Sequence, residues 1–507
     1  MEYILGIDMG TLGTKAVLFD LQGHIKTSSY YPHREPYTPN PSISEQDAED
    51  WWGAIRGVVR EVLKKGISPR DIMGIGLSSQ GGGLVCIDAE GNPLFPVMIY
   101  ADRRTQVEIR ELQNLLNQQI PEILKDRRLP SILAQILWIR KHEPAVEEKT
   151  SKFMTARGYL GYKLTEVAAF DDYGCREFGG DLYTMKWVPE ILEIVGVPED
   201  KLGEIYRSWE PFGYVSKRTE EEIGLKEGTP VCTGVWDGMC NIVGSGLTKP
   251  GMAMDVTGTT EICTVLETSP GKTFFKDAVP YLPPLGKEMY YWYSSPRPTG
   301  NLLYWFKEFA ATEYEAADKL GLTAYRIMDL EAEKVEPGSN NLIAYPHFQG
   351  VSYKGHIRDL NARGFFLGIT LAHKRSHFIR AIMEGVAYTL RHILDVYEEE
   401  GAVLDEVRLS GGGAKSELWN QIKADVTGRP MARVHTVETS ALGAVMLASV
   451  GLKIYEDFED AANNMVRIVK RYKPDKANYE RYSKLYEVYW EAYNQLIGTF
   501  SKLAAIK

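Results

Sequence analysis

Residues 3–19 run as an apolar stretch, a turn Asp8-Met9-Gly10-Thr11, and a second apolar stretch Ala16-Val17-Leu18-Phe19, the pattern of a β-hairpin with a Gly/Thr tip. Half a chain later the same order returns as Met254-Asp255, Gly258-Thr259-Thr260 and Ile262 to Leu266. Two hairpins of one kind predict two similar α/β domains facing each other across a cleft, here 1–248 and 249–507, with Pro250-Gly251 as hinge. Between the hairpins lie the strands Ile72 to Leu77 and Pro230 to Thr233 and helical stretches at Trp51 to Lys65 and Gln135 to Lys141. Further on the pattern predicts a helix His377 to Tyr397, a strand Glu406 to Leu409 and a helix Ser416 to Thr427. A final helix carries Tyr479, Tyr482, Tyr486, Tyr489 and Tyr493 at steps of three and four, which reads as a packed face.

Of the 507 residues 44% are hydrophobic, enough for two or three real cores, so disorder is excluded as the dominant state. The 68 acidic side chains outnumber 58 basic ones, which argues against holding nucleic acid by counterion release. Five cysteines without a Cys-x-x-Cys pair suggest neither a disulfide framework nor a thiolate zinc site, and a reducing cytoplasm fits best. The N-terminus lacks the basic start and apolar stretch of a signal peptide. Ala441 to Leu452, the most apolar later run, is shorter than the ~20 residues of a membrane span and reads as a buried helix.

Gly271-Lys272-Thr273 resembles the end of a P-loop, but Leu266 stands where the first glycine must turn the chain, and no Gly-x-Gly-x-x-Gly run opens a helix. His373 and His377 have the spacing of a metal pair, but the stretch between them reads as a helix start capped by Ser376. In the first hairpin, Gly10 and Gly13 turn the backbone so that amides converge, Thr11 and Thr14 add hydroxyl donors and Lys15 adds positive charge, a set that suits a polyphosphate. Asp8 would then hold the waters of a magnesium ion, or else cap its own turn. Gly258-Thr259-Thr260 carries hydroxyls without a nearby lysine. Gly411-Gly412-Gly413, after a strand and before a helix opened near Ser416, allows close approach of a nucleotide and offers helix N–H groups to an anion. Asp237 lies at a turn after an apolar strand, where a carboxylate either takes a proton from a substrate hydroxyl or caps a helix beginning at Met239.

Assembled, these residues resemble the FGGY family of carbohydrate kinases, within the larger group that shares an actin- and hexokinase-like ATPase fold. The longest matching signature is Gly364-Phe365-Phe366-Leu367-Gly368-Ile369, a seven-residue gap, then His377-Phe378 and Ala381-Ile382-Met383-Glu384. The resemblance implies an α/β fold of two actin/hexokinase-like (ribonuclease H-like) domains, the first binding sugar and the second ATP. It makes Asp237 the catalytic base and places Asp8 and Asp237 beside Mg2+. It assigns Gly10, Thr11, Thr14, Lys15, Gly258, Thr259, Thr260, Gly411, Gly412, Gly413 and Ser416 to the nucleotide. Two departures stand out. Gln135 replaces a usual lysine in the other signature, Ile136-Leu137-Trp138-Ile139 with Lys141-His142. Where D-xylulose kinases of the family carry Met-His, this chain reads Gln80-Gly81-Gly82-Gly83, closer to kinases of L-xylulose or of linear polyols such as erythritol. Asp102 occupies a substrate-loop position, with an Asp-Arg surface pair as the competing explanation.

The expectation is an ATP-dependent kinase of a small sugar, such as the pentulose xylulose, or a polyol, with a homodimer as the default assembly. The alternatives are a chaperone- or filament-type ATPase on the same fold, which would need an extension beyond the final helix, and a non-catalytic sugar sensor, which would bind sugar without releasing ADP.

Overall fold

The computed structural model describes residues 2–40, 42–121, 131–258, 261–275, 278–280, 289–295, 300–309, 317, 321–348, 350–352 and 358–506. The chain forms two compact units. The first comprises Met1–Gly246 together with Glu438–Val466, and the second comprises Leu247–Tyr281, Gly286–Val437 and Arg467–Lys507. The stretch 438–466, late in the chain, thus packs with the first unit.

In the first unit the strands β1 (Tyr3–Met9), β2 (Gly13–Asp20), β3 (Ile25–Pro32), β4 (Ile72–Ser79), β5 (Pro211–Tyr214) and β6 (Pro230–Trp236) form one sheet in the order β5-β6-β4-β1-β2-β3. β1 and β2 are the expected antiparallel hairpin, and β1, β4 and β6 run parallel. Side chains alternate across a strand, and the alternation decides what covers each face. Leu5 and Ile7 of β1 and Ile75 and Leu77 of β4 share a core with Trp51, Ile55, Val58 and Val59 of α1 (Ala48–Lys64). The opposite face carries Gly6 and Gly76, where a Cβ would lie 2.6 Å from the Ala441 carbonyl oxygen and 2.1 Å from that of Ala444. Those missing side chains let a helix lie almost on the backbone of the sheet. The helix is α3 (Thr439–Gly451), buried from Thr439 to Ser449 as its unbroken apolar sequence predicts, and its partner in packing is α2 (Asp237–Gly244). A Cβ on Gly443 would meet the Cys240 carbonyl oxygen at 1.9 Å, and one on Gly244 would meet that of Thr439 at 1.9 Å.

The second unit repeats the theme. The strands β7 (Met252–Thr257), β8 (Glu261–Glu267), β9 (Val279–Pro280), β10 (Tyr290–Ser294), β11 (Glu406–Ser410), β12 (Met431–Val434) and β13 (Ile468–Tyr472) lie in the order β9-β10-β8-β7-β11-β12-β13. Again an antiparallel hairpin, β7-β8, is followed by two parallel neighbours, β11 and β12. The helices α4 (Arg375–Glu400), α5 (Glu417–Thr427) and α6 (Lys476–Ala504) match the predicted stretches, and Tyr482, Tyr489 and Tyr493 of α6 are buried in the unit's core. One detail differs: α4 starts at Arg375, with Lys374 before it, so Ser376 is inside the helix. The Lys374 N–H is met by Nδ1 of His377 at 3.1 Å, a longer reach that a serine cap at 376 cannot make from within the first turn.

Candidate active site

Because β1 and β4 run parallel with Asp8 opposite Ser78, both side chains emerge on the α3 face at the C-terminal ends of their strands. Gly6 and Gly76 bring α3 close, so Ser440 reaches the same point. Asp8 Oδ1 accepts from Ser78 Oγ at 2.7 Å and from Ser440 Oγ at 2.9 Å, the two hydroxyls being 2.7 Å apart. Burial raises the Asp8 carboxyl above its ordinary pKa, opposed by these hydroxyls and by Lys15. Neighbouring β6 ends at Trp236, opposite Ser79 of β4, and Asp237 follows as the first residue of α2. The Gly238 N–H holds Asp237 Oδ1 at 2.7 Å. Burial, and next the charge of Asp8, push the Asp237 carboxyl up to about 7, against the Gly238 bond and the Arg157 guanidinium. On each acid the second oxygen bonds none of the described residues and is not sealed from solvent. The site therefore presents two carboxylate oxygens, one from Asp8 and one from Asp237, each on a carboxyl group whose other oxygen is fixed. Charge repulsion and burial keep one proton at hand near neutrality.

The first hairpin tip is more internally engaged than its sequence suggests. The Gly10 N–H closes the turn on the Gly13 carbonyl at 3.0 Å. Thr14 is fully buried with its Oγ1 2.8 Å from His33 Nε2, and His33 Nδ1 lies 3.4 Å from the Thr11 carbonyl, which can only accept. His33 Nδ1 therefore carries the proton and the Thr14 hydroxyl donates inward. The Thr11 hydroxyl donates to Gln80 Oε1 at 2.8 Å, and Lys15 pairs with Glu438 at 2.7 Å. The hydroxyl protons of Thr11 and Thr14 are thus spent within the protein.

Gln80 is buried beside this tip, its Nε2 donating to Gln46 Oε1 at 2.8 Å, while Gly82 takes φ +78°, a conformation that favours glycine. The loop passes between Tyr100 and Trp236, each close enough to touch a Cβ added at Gly82 or Gly81. Asp102 is not brought to the acids. Its Oδ2 accepts the Ser44 N–H at 2.9 Å, its Oδ1 the Arg104 N–H at 3.0 Å, and Arg104 Nε lies 3.1 Å from both. The pairing is with Arg104, and the Asp102 side chain is only 1% exposed, so it is a buried brace for the loop rather than a surface pair.

In the second unit Gly258 follows β7, and Thr259 and Thr260 lie outside the described residues. Thr257 is the point on which the other pieces converge. A Cβ on Gly411 (φ +77°) would meet the Thr257 carbonyl oxygen at 2.7 Å and one on Gly413 would meet Thr257 Cβ at 2.8 Å, whereas at Gly412 it would meet nothing. The glycines let the loop 411–413 wrap Thr257 and leave an open face at Gly412 for a flat or phosphorylated ligand. Lys423 of α5 donates to Asp255 Oδ2 and to Thr257 Oγ1. Ser416 acts as the cap of α5: its Oγ accepts the Trp419 N–H at 3.0 Å and donates to Asp329 at 2.8 Å. Glu261 is fully buried with neither carboxyl oxygen hydrogen-bonded in the deposited geometry of protons, and burial and then Asp255 raise it well above the ordinary range. The two histidines noted in the sequence use their Nδ1 atoms on the Thr370 and Lys374 N–H groups, and no cluster of three metal-binding side chains occurs among the described residues.

Models of the N-terminal and C-terminal domains of the FGGY family of carbohydrate kinases match residues 3–244 and 253–452. The chain belongs to this family. As a carbohydrate kinase it transfers phosphate from ATP to a sugar hydroxyl, on the two-domain actin/hexokinase-like fold. It is 28% identical to a xylulose kinase of Bacillus subtilis, over 97% of either chain, and 28% identical to a gluconokinase of the same organism, over 99% of this chain and 98% of the other. A ligand-bound xylulose kinase from Lactobacillus acidophilus superposes with a TM-score of 0.82 at 22% identity, covering 99% of this chain and 100% of that one. No helix among the described residues is long and apolar enough to cross a membrane.

Sequence reasoning missed three residues of this FGGY site. Ser440 lies 432 positions from Asp8, and no motif links them. Gln46 sits in a two-residue strand, Glu45–Gln46, too short for a periodic signal. Arg157 is buried, pairs with Asp171 and donates to Ser79 Oγ at 3.3 Å. An arginine in an otherwise apolar stretch, Phe153 to Leu160, was the available clue.

Proposed function

We propose that this carbohydrate kinase phosphorylates a small ketose or linear polyol, a pentulose such as xylulose foremost, with Asp237 as the base. The observation that carries the reading is the pairing of Asp8 and Asp237, each with one carboxylate oxygen fixed and one free, at the ends of adjacent strands. The xylulose kinases among the relatives support a pentulose, and the Gln80-Gly81-Gly82-Gly83 loop, which offers no imidazole, leaves room for other small sugars and polyols.

In this reading Asp237 accepts the proton of the sugar hydroxyl as its oxygen attacks phosphorus, a role suited to a carboxyl poised at about 7. Asp8, held rigid by Ser78 and Ser440, turns its free oxygen toward the waters of Mg2+. Two carboxylates without a third protein ligand fit a hard cation that keeps several waters and phosphate oxygens. When bound, that ion supplies charge neutralisation on the phosphate oxygens. The loop 411–413 and the Gly258 turn are assigned to the nucleotide, and the enzyme to the cytoplasm.

The test is ADP release by purified protein over a panel of ketoses, aldoses, polyols and aldonates. Asp237→Asn should lower kcat by about 100-fold or more while ATP still binds, as measured by calorimetry. Wild-type turnover in that variant removes Asp237 from the role.

A further inference from the structure

We infer that Gln46, through Gln80, sets the Thr11 hydroxyl as a hydrogen-bond acceptor for a hydroxyl of the sugar, so that Gln46 is a positioning residue for substrate selection. The inference rests on the sugar-kinase reading above. It changes the assignment of Thr11 from phosphate donor to sugar acceptor.

The orientation of both amides follows from one fixed point. The Thr11 carbonyl can only accept, and Gln46 Nε2 lies 2.7 Å from it. Gln46 must therefore turn its Oε1 the other way, where it accepts from Gln80 Nε2 at 2.8 Å. Gln80 in turn must place Oε1 toward Thr11, and the Thr11 hydroxyl proton goes to it at 2.8 Å. Exchanging O and N in either amide would set donor against donor at one contact and acceptor against acceptor at another, so no single flip is tolerated. Gln46 and Gln80 are 6% and 3% exposed, which leaves water little chance to rescue a mismatched pair. The Gln80 backbone is fixed as well, its N–H on the Met9 carbonyl at 2.7 Å and its carbonyl taking the Ser79 hydroxyl at 3.0 Å.

What remains at the half-buried Thr11 is an oxygen whose proton is committed and whose lone pairs are free. A phosphate oxygen at that place would meet another acceptor. A sugar hydroxyl can donate to it, and Asp8 and Asp237 each add a free carboxylate oxygen that also accepts. The same loop carries Gln80-Gly81-Gly82, so the residues assigned to sugar and the Thr11 tip form one hydrogen-bonded piece.

The test separates the KM of sugar from the KM of ATP. Gln46→Met keeps length and removes the amide, so the sugar KM should rise about 10-fold, the scale of one neutral hydrogen bond, with the ATP KM unchanged. Thr11→Val should do the same and Thr11→Ser should restore the wild-type value, an arm that holds even if the Gln46 variant does not fold. Single-hydroxyl deoxy analogues locate the contact: one deoxy sugar that wild type disfavours should lose that penalty in Thr11→Val. A rise in ATP KM with sugar KM unchanged overturns the inference and returns Thr11 to the phosphate, as does an unchanged KM for both in Thr11→Val. A wild-type protein that turns over no sugar or polyol overturns the substrate reading and the inference with it.

Discussion

The buried group Lys423, Asp255 and Glu261 in the second unit allows two substitutions a few ångströms apart to be assigned opposite outcomes. Lys423 and Asp255 form an ion pair with side chains 2% and 0% exposed, and Lys423 also serves Thr257. Lys423→Met removes the only partner of Asp255 Oδ2 apart from the Thr257 hydroxyl at 3.2 Å and leaves a carboxylate in an apolar setting, which costs about 3–5 kcal/mol. Glu261 differs because burial raises its carboxyl well above the usual range, with Asp255 adding to it, so it is neutral near pH 7. Glu261→Gln exchanges one neutral group for another of the same shape and should cost within about 1 kcal/mol at neutral pH. The pH dependence has a definite sign. Between the ordinary carboxyl value of 4.5 and the raised folded value, the folded state holds a proton that the unfolded state has released. Stability contributed by neutral Glu261 is complete below 4.5 and is lost as pH rises through the folded value, and Glu261→Gln abolishes that loss. Urea titrations at pH 6, 7, 8 and 9 read both effects. The gap between wild type and Lys423→Met should widen with pH, because the stranded carboxyls can take up protons only at the acid end. Equal losses for Lys423→Met and Glu261→Gln would show that Glu261 is ionised and shares the lysine, and would refute the reasoning.

Gly443→Ala should lower stability by more than about 2 kcal/mol, since its Cβ would meet the Cys240 carbonyl at 1.9 Å and only separation of α2 from α3 relieves it; a melting curve unchanged within error would contradict this packing. Ser440→Ala should raise the magnesium concentration needed for half-maximal ADP release, because Asp8 Oδ1 loses one of its two hydroxyl bonds, while Ser440→Thr should keep most of it. Asp102→Ala should lower the melting temperature through loss of the Ser44 and Arg104 contacts and leave the ratio of sugar KM to ATP KM in place, which steady-state kinetics on the folded fraction would check.

How far the site was legible depends on the range of the interaction concerned. The hairpins 3–20 and 252–267, the glycine loop and the helix after it, and the acid that opens α2 all rest on contacts between near neighbours, which is why alternation and turn residues announce them. The tyrosine steps of α6 and the apolar run of α3 were equally plain, because burial of a helix face or of a whole helix leaves its period in the chain. Hydrogen-bond polarity left no such trace. Thr11, Thr14 and Ser416 read as hydroxyl donors for a ligand, yet Gln80, His33 and Asp329 take those protons, and which of two partners receives a proton is a property of the assembled neighbourhood.

The chain by itself settled the family, the two α/β units and the acid at 237, because each is written in residue types at short, fixed spacings. Only the folded molecule decided that Ser440 would stand beside Asp8, that Asp102 would brace a loop, and that Gln46 would orient Gln80. Those outcomes follow from missing side chains at Gly6 and Gly76, from a strand of two residues, and from an arginine placed two positions beyond an aspartate, and their effect appears only when segments distant in sequence share one volume.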